Sequence, residues 1–172
     1  MSTLKVNTIT NTAGNADIAN VGKIVQVVQA TTNSAVTNTT TTFEDTNLTA
    51  NITPSSNSNK ILIIISQSFR VANGTAAGGG IQILRGSTVI QNATPSDGVG
   101  PAQYYFGNFG ASSNIYMRHN THILDSPSTT SATTYKTQFR LYSAGTGRDM
   151  QANPSLASSN GDSYITLMEV SA

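Results

Sequence analysis

The side chains able to do chemistry in this chain are few. Its two histidines, His119 and His122, stand close together in the run RHNTH, and cysteine is absent. Residues three apart on an extended strand point to opposite faces, so these imidazoles cannot share one metal ion, and without thiolates there is no sulfur site. Surface or capping roles suit them better. Carboxylates are the next resource, since hydrolysis of a polysaccharide needs two of them flanking the scissile bond. The acidic residues are Asp17, Glu44, Asp45, Asp97, Asp125, Asp149, Asp162 and Glu169. Most lie beside Gly, Asn, Ser or Pro, and Asp97-Gly98 and Gly161-Asp162 are ordinary turn chemistry. The sequence contains neither a G-x-S-x-G elbow nor a phosphate loop. These residues predict no enzyme, no catalytic residue, no cofactor and no metal site.

Binding chemistry has one sharper foothold. Tyr104, Tyr105, Phe106 and Phe109 are interleaved with Gly107 and Gly110, a composition that can present a flat platform for a sugar ring. The same density of aromatics equally serves a strand core or a contact between subunits. The polar stretch from Arg148 to Ser163 is a second place where a receptor could be touched, because loops carry many binding residues.

Composition narrows the partners. Only 10% of the residues are charged, whereas Ser, Thr and Asn together make up 62 of 172, so the surface must be built of hydroxyls and amides. A surface so poor in charge suits a protein that works inside an assembly. The nine Lys and Arg residues are scattered singly and the net charge is +1. No run of them could track a phosphate backbone, which argues against nucleic acid as a partner. The opening MSTLKVNTIT has neither the basic nor the apolar region of a secretory signal, and the longest aliphatic run is Ile61 to Ile65, so no membrane span is expected.

The elements that must position these residues are strands. In KIVQVVQ, Ile24 and Val28 fall on one face and Val25 and Val27 on the other. The Thr-rich stretch 31–42 reads as a loop or a solvated edge strand, and Leu48, Ala50 and Ile52 alternate ahead of Pro54. KILIIISQSFRV is the strongest strand, with Ile61, Ile63, Ile65, Phe69 and Val71 on one face and Ser66, Ser68 and Arg70 on the other. Ala76 to Gly80 reads as a flexible tract. The pair Gly86-Ser87 within IQILRGSTVIQ is the Gly-first turn of a type II′ hairpin. AQYYFGNF, SNIYMRHNTHIL and TTYKTQFRLY add three strands, the last with Tyr135, Phe139 and Leu141 inward. The final strand, SYITLMEV, is apolar on both faces, Ile165 and Leu167 on one and Tyr164, Met168 and Val170 on the other. A lone sandwich can bury only one of them.

Short strands, frequent turns and no helical period predict an all-β antiparallel sandwich, jelly-roll-like, spanning 23–172. Residues 1–22 carry sparse apolar positions, Leu4, Val6 and Ile9 among them, and cannot close a core; they read as an extended N-terminal arm for attachment or oligomerisation. The doubly apolar last strand makes Tyr164, Ile165, Leu167, Met168 and Val170 the expected oligomer seam.

Three stretches also carry a family resemblance: STLKVNTITNTAG at the start, the internal IQILRGSTVIQ, and YKTQFRLYSAGTG followed by SYITLMEV at the end. They resemble tail-fibre-like and other virion structural proteins of bacteriophages, marine ones especially. The resemblance implies a homotrimeric β-sandwich facing outward. It implies an N-terminal segment that attaches to capsid, tail or fibre components, and a protein assembled in the host cytoplasm and resident in the virion. It suits a short tail fibre, an adaptor, a head fibre or a capsid decoration protein alike, and transfers no functional residue. A receptor-binding, lectin-like module recognising bacterial surface glycans is the alternative that the aromatic cluster supplies.

Overall fold

The computed structural model describes residues 22–72, 78–91, 103–105, 114–156, 159–160 and 162–172. Every element among them is a strand: β1 (Ile24–Thr32), β2 (Val36–Asn38), β3 (Glu44–Ile52), β4 (Lys60–Val71), β5 (Gly78–Arg85), β6 (Thr88–Gln91), β7 (Gln103–Tyr105), β8 (Ile115–Asp125), β9 (Thr133–Leu141), β10 (Met150–Ala152), β11 (Ser155–Leu156), β12 (Ser159–Asn160) and β13 (Ser163–Val170). All pairings are antiparallel, and apart from the small β11–β12 ribbon they form the two packed sheets of a β-sandwich.

β4 is the spine of the first sheet. β8 runs along one of its edges from Ile61 to Val71, while the other edge is shared by β13 and β10. β1 pairs outside β13, and β2 outside β10. The second sheet runs β3, β9, β5, with β6 and β7 sharing the far edge of β5. The hairpin between β5 and β6 turns at Gly86, whose φ of 58° is the left-handed value that the first position of a type II′ turn demands.

Alternation places the apolar residues of β3, β4, β9 and β13 between the sheets. One core cluster gathers Leu48, Ile61, Ile63, Ile65, Ile83, Tyr135, Ile165 and Leu167; a second gathers Phe69, Val71, Ile81, Phe139, Leu141, Met150 and Ala152. A buried polar band lies between them. Thr46 and Thr137 share a hydrogen bond of 2.6 Å, the Thr137 hydroxyl donates to Gln67 Oε1 at 2.9 Å, and Gln67 Nε2 donates to Asn153 Oδ1 at 3.2 Å. Asn153, at φ 53°, completes the band by donating to the carbonyls of Ser34 and Thr46. Buried amides and hydroxyls are tolerated when they satisfy one another in this way.

Three expectations change. Gly78–Gly80 is not a flexible tract but the buried start of β5. A Cβ on Gly79 would meet the Met150 thioether and come within 2.6 Å of the Arg140 carbonyl oxygen, so only glycine admits this approach. The stretch 148–163 is not purely a loop, since β10 contributes the fully buried Met150 and Ala152 to the core. In β13, Ile165 and Leu167 belong to the chain's own core at 0% exposure, which removes them from the expected seam. Of the arm, only Gly22 is described: its N–H donates to the Ser171 carbonyl at 3.0 Å. Leu4, Val6 and Ile9 lie outside the described residues.

Candidate functional site

The residues that could do chemistry are held apart. His119 points inward from β8 opposite Gln67, while His122 points outward opposite Ile64. Burial holds the His119 imidazole neutral, with its pKa down at about 4. The carboxylates are likewise distributed among separate sets of donors. Asp125 receives the Arg85 guanidinium at 2.8 and 2.9 Å and the Tyr135 hydroxyl at 2.7 Å. Burial, followed by that carboxylate, pushes the Tyr135 phenol well above its ordinary pKa. Asp149 pairs with Arg70. Among the described residues no three His, Asp or Glu side chains converge on a common point.

Glu169 is the least expected of these. It is fully buried at the end of β13, between the sheets. It accepts hydrogen bonds from Asn59 Nδ2 (2.6 Å), Gln26 Nε2 (2.6 Å), and both the backbone N–H and the hydroxyl of Ser55 (2.7 Å each). Burial raises its pKa, but these donors outweigh that and hold it at about 2. The carboxylate therefore clamps β1, the β3–β4 turn and β13 together. Its neighbours along the strand, Met168 and Val170, had marked this region only as apolar, so its anchoring role had no signature in the sequence.

The aromatic platform is only partly described. The backbone of Tyr104 and Tyr105 lies in β7, opposite Gly79 and Gly78 of β5; their side chains, and Phe106 and Phe109 altogether, lie outside the described residues.

What the fold does assemble is a sheet face. On the outward side of the first sheet, register aligns Val27 of β1, Met168 of β13, Leu62 of β4 and Leu124 of β8 in one row across four strands. The next row is Gln29, Thr166, Ile64 and His122, and the one beyond it Thr31, Tyr164, Ser66 and Asn120. Val27 is 55% exposed, Leu124 51% and Ile64 39%. Ile24 and Val25 extend the patch along β1, where a bulge between Ile24 and Gln26 turns Ile24 to the side of Val25 and Val27, not to that of Val28 as its spacing predicts. Between β4 and β8 the small Ser66 leaves a shallow depression of about 310 Å³, walled by Leu62, Ile64, Asn120 and His122.

Tyr164, Met168 and Val170 face outward, on the same side as Val27, Leu62, Ile64 and Leu124. The signal for Leu62 and Ile64 was present: an unbroken run from Ile61 to Ile65 fills both faces of a strand, so these two had to face away from the core. At the polar margin the Arg118 guanidinium donates to Ser66 Oγ (3.0 Å) and the Asp162 carbonyl (2.8 Å) and lies 6.0 Å from the centre of the Tyr164 ring.

The outward side of the second sheet is built on the opposite plan. Lys136 Nζ and Gln138 Nε2 both donate to Asp45, at 2.8 and 2.7 Å, and Gln82 Nε2 donates to Gln138 Oε1 at 2.6 Å. Thr134 donates to Asn51 at 2.6 Å. Its polar groups answer one another across the strands.

No family model matches the chain, and no curated protein matches it significantly.

Proposed function

We propose that the chain is a non-enzymatic structural protein of a virus particle: a homotrimeric, jelly-roll-like bacteriophage appendage, such as a short tail fibre, an adaptor, or a head fibre or decoration protein. The observation that carries this reading is the apolar outward face of the first sheet, which spans four strands and has no cover within the described chain. Contiguous apolar surface of this kind marks a surface made for association. The charge-poor composition points the same way, and the resemblance to phage virion proteins supplies the particle and the number three. In this reading the arm of residues 1–22 attaches to other virion proteins, and the sandwich holds the copies together.

Sedimentation of the full chain at micromolar concentration tests the reading. A trimer is expected, and Leu124→Asp is expected to dissociate it while leaving the far-ultraviolet circular dichroism of a folded β-protein. A chain without residues 1–22 should still trimerise but fail to enter particles. A well-behaved monomer, or full incorporation of the truncated chain, sinks the proposal.

A further inference from the structure

We infer that β1 is a strap that opens apart from the rest of the sandwich, and that the bridge from Gln26 to the buried Glu169 carboxylate is the latch that holds it shut. The inference goes beyond the structural reading above and concerns the single chain, so its failure leaves that reading untouched.

The case begins with how little holds β1 in place. Among the described strands its one hydrogen-bonded neighbour is β13, so it stands at the edge of the first sheet. None of its nine residues is buried, whereas β3, β4 and β13 each bury at least four. Val28 and Ala30 rest on the core cluster only partly buried, and Ile24, Val25 and Val27 are 44–55% exposed. A strand that buries so little apolar surface can open while the core stays closed, because stability is spread unevenly over a fold.

The two ends of the strap are secured differently. Beyond Thr32 the buried Asn153 donates to the Ser34 carbonyl at 3.0 Å, which pins the far end and makes residues 33–35 the hinge. At the near end the ladder is interrupted by the bulge between Ile24 and Gln26, and a bulge weakens pairing locally. Outside the bulge lie the bonds of Gly22 and Lys23 to Ser171. Inside it, Gln26 uses both hydrogens of its amide to tie β1 to other elements: Nε2 donates to Glu169 Oε2 at 2.6 Å and to the Thr53 carbonyl at 2.7 Å. The first acceptor is a charged group with 0% exposure, and hydrogen bonds to ionised groups are about twice as strong as neutral ones. Gln29, three residues on, makes the contrasting bond, since its amide meets the neutral Thr166 hydroxyl at 3.0 Å on the exposed side.

Glu169 does not depend on Gln26 alone. Asn59 and Ser55 keep three further donors on it, so the carboxylate stays anchored to the β3–β4 turn when Gln26 lets go. The latch therefore frees β1 without dismantling its own socket. What it frees is the strand that carries the chain before Gly22, so a pull arriving through that chain meets the latch before it meets the core.

Hydrogen exchange of the folded full chain, read by mass spectrometry at a concentration that keeps copies apart, tests the inference. In the unsubstituted chain the β1 amides bonded to β13 are expected to exchange faster than those of β4, and with a weaker dependence on urea. Gln26→Ala should raise the β1 rate about tenfold or more, because it removes a bond that strap opening breaks. Gln29→Ala should raise it about threefold or less. Ile81→Val, in the second core cluster and away from β1, should raise the β4 rate about fivefold and leave the β1 rate unchanged, since strap opening keeps that cluster intact. β1 and β4 exchanging together in the unsubstituted chain would show that no separate strap exists, a result that needs no variant to fold. An Ile81→Val chain in which β1 speeds up as much as β4 overturns the strap. A Gln26→Ala chain whose β1 rate is unchanged, or rises no more than that of Gln29→Ala, overturns the latch.

Discussion

The two outward faces of this sandwich have the same strand geometry and opposite chemistry. On the second sheet, Lys136, Asp45, Gln138 and Gln82 are linked by hydrogen bonds of 2.6 to 2.8 Å, so these side chains satisfy one another across the strands. On the first sheet the corresponding row is Val27, Met168, Leu62 and Leu124. Burial in a monomer cannot explain this row, because the inner sides of the same strands already fill the core. The difference separates two demands on sequence: the inner faces specify the fold, and in the proposed function the apolar outer face serves association.

The comparison breaks most directly at β13, where adjacent residues serve the two demands. Leu167→Ala removes a side chain of 0% exposure from the core, and truncations of this kind cost about 2–5 kcal/mol. Met168→Ser, one residue along and facing out, should change the stability of the separated chain by only about 0.5 kcal/mol and act instead on assembly. Urea unfolding at a concentration low enough to keep the copies apart measures both. Equal losses would mean that the outer face of β13 is packed within the chain, and the contrast between faces would fail.

Titration sharpens the same division. Glu169 has a folded pKa of about 2 against an ordinary 4.5. Its contribution is complete above about pH 4.5 and is lost as pH falls towards 2. Glu169→Gln should lose much of that at neutral pH and flatten the acid limb of a stability profile. His119 is depressed from 6.5 to about 4. The unfolded chain takes up its proton first, so this contribution is complete above pH 6.5 and declines as pH falls towards 4. His119→Asn should reduce the slope of unfolding free energy between those values, by at most about 1.4 kcal/mol per pH unit. Both groups point inward. Acid sensitivity of folding therefore belongs to the inner side.

Much of this was legible in the sequence where period-2 alternation is strong. β4, β9 and the Gly86-Ser87 hairpin follow directly from their residues, as does the opposite orientation of His119 and His122. Legibility fails where tertiary contact decides. β10 is three residues long, too short to show a period, and Gly78–Gly80 looks like a linker until Met150 and Arg140 are seen to crowd it. Glu169 resembles any polar residue near a terminus, because Gln26, Ser55 and Asn59 are far from it in the chain and meet it only on folding. The last strand reads as apolar on both sides, but sequence alone could not say which of them was inward.

The smallest effect is expected on the polar face, and it is informative because it is small. Lys136 and Asp45 pair at 2.8 Å with side chains 27% and 51% exposed. The amine and the Gln138 amide outweigh a burial penalty and lower the Asp45 pKa, yet solvent screens a pair this open. Lys136→Ala should therefore cost no more than about 1 kcal/mol and leave the sedimenting mass unchanged. Replacing Lys136 and Gln138 together with Leu poses a different question, since it places two large apolar side chains on the second face beside Leu84. If polar tiling is what keeps this face from associating, the double variant should stay folded yet form larger, open-ended assemblies, because a second sticky face lets closed oligomers join. A double variant that sediments as the wild type does would show that sheet shape, rather than side-chain polarity, separates the two faces.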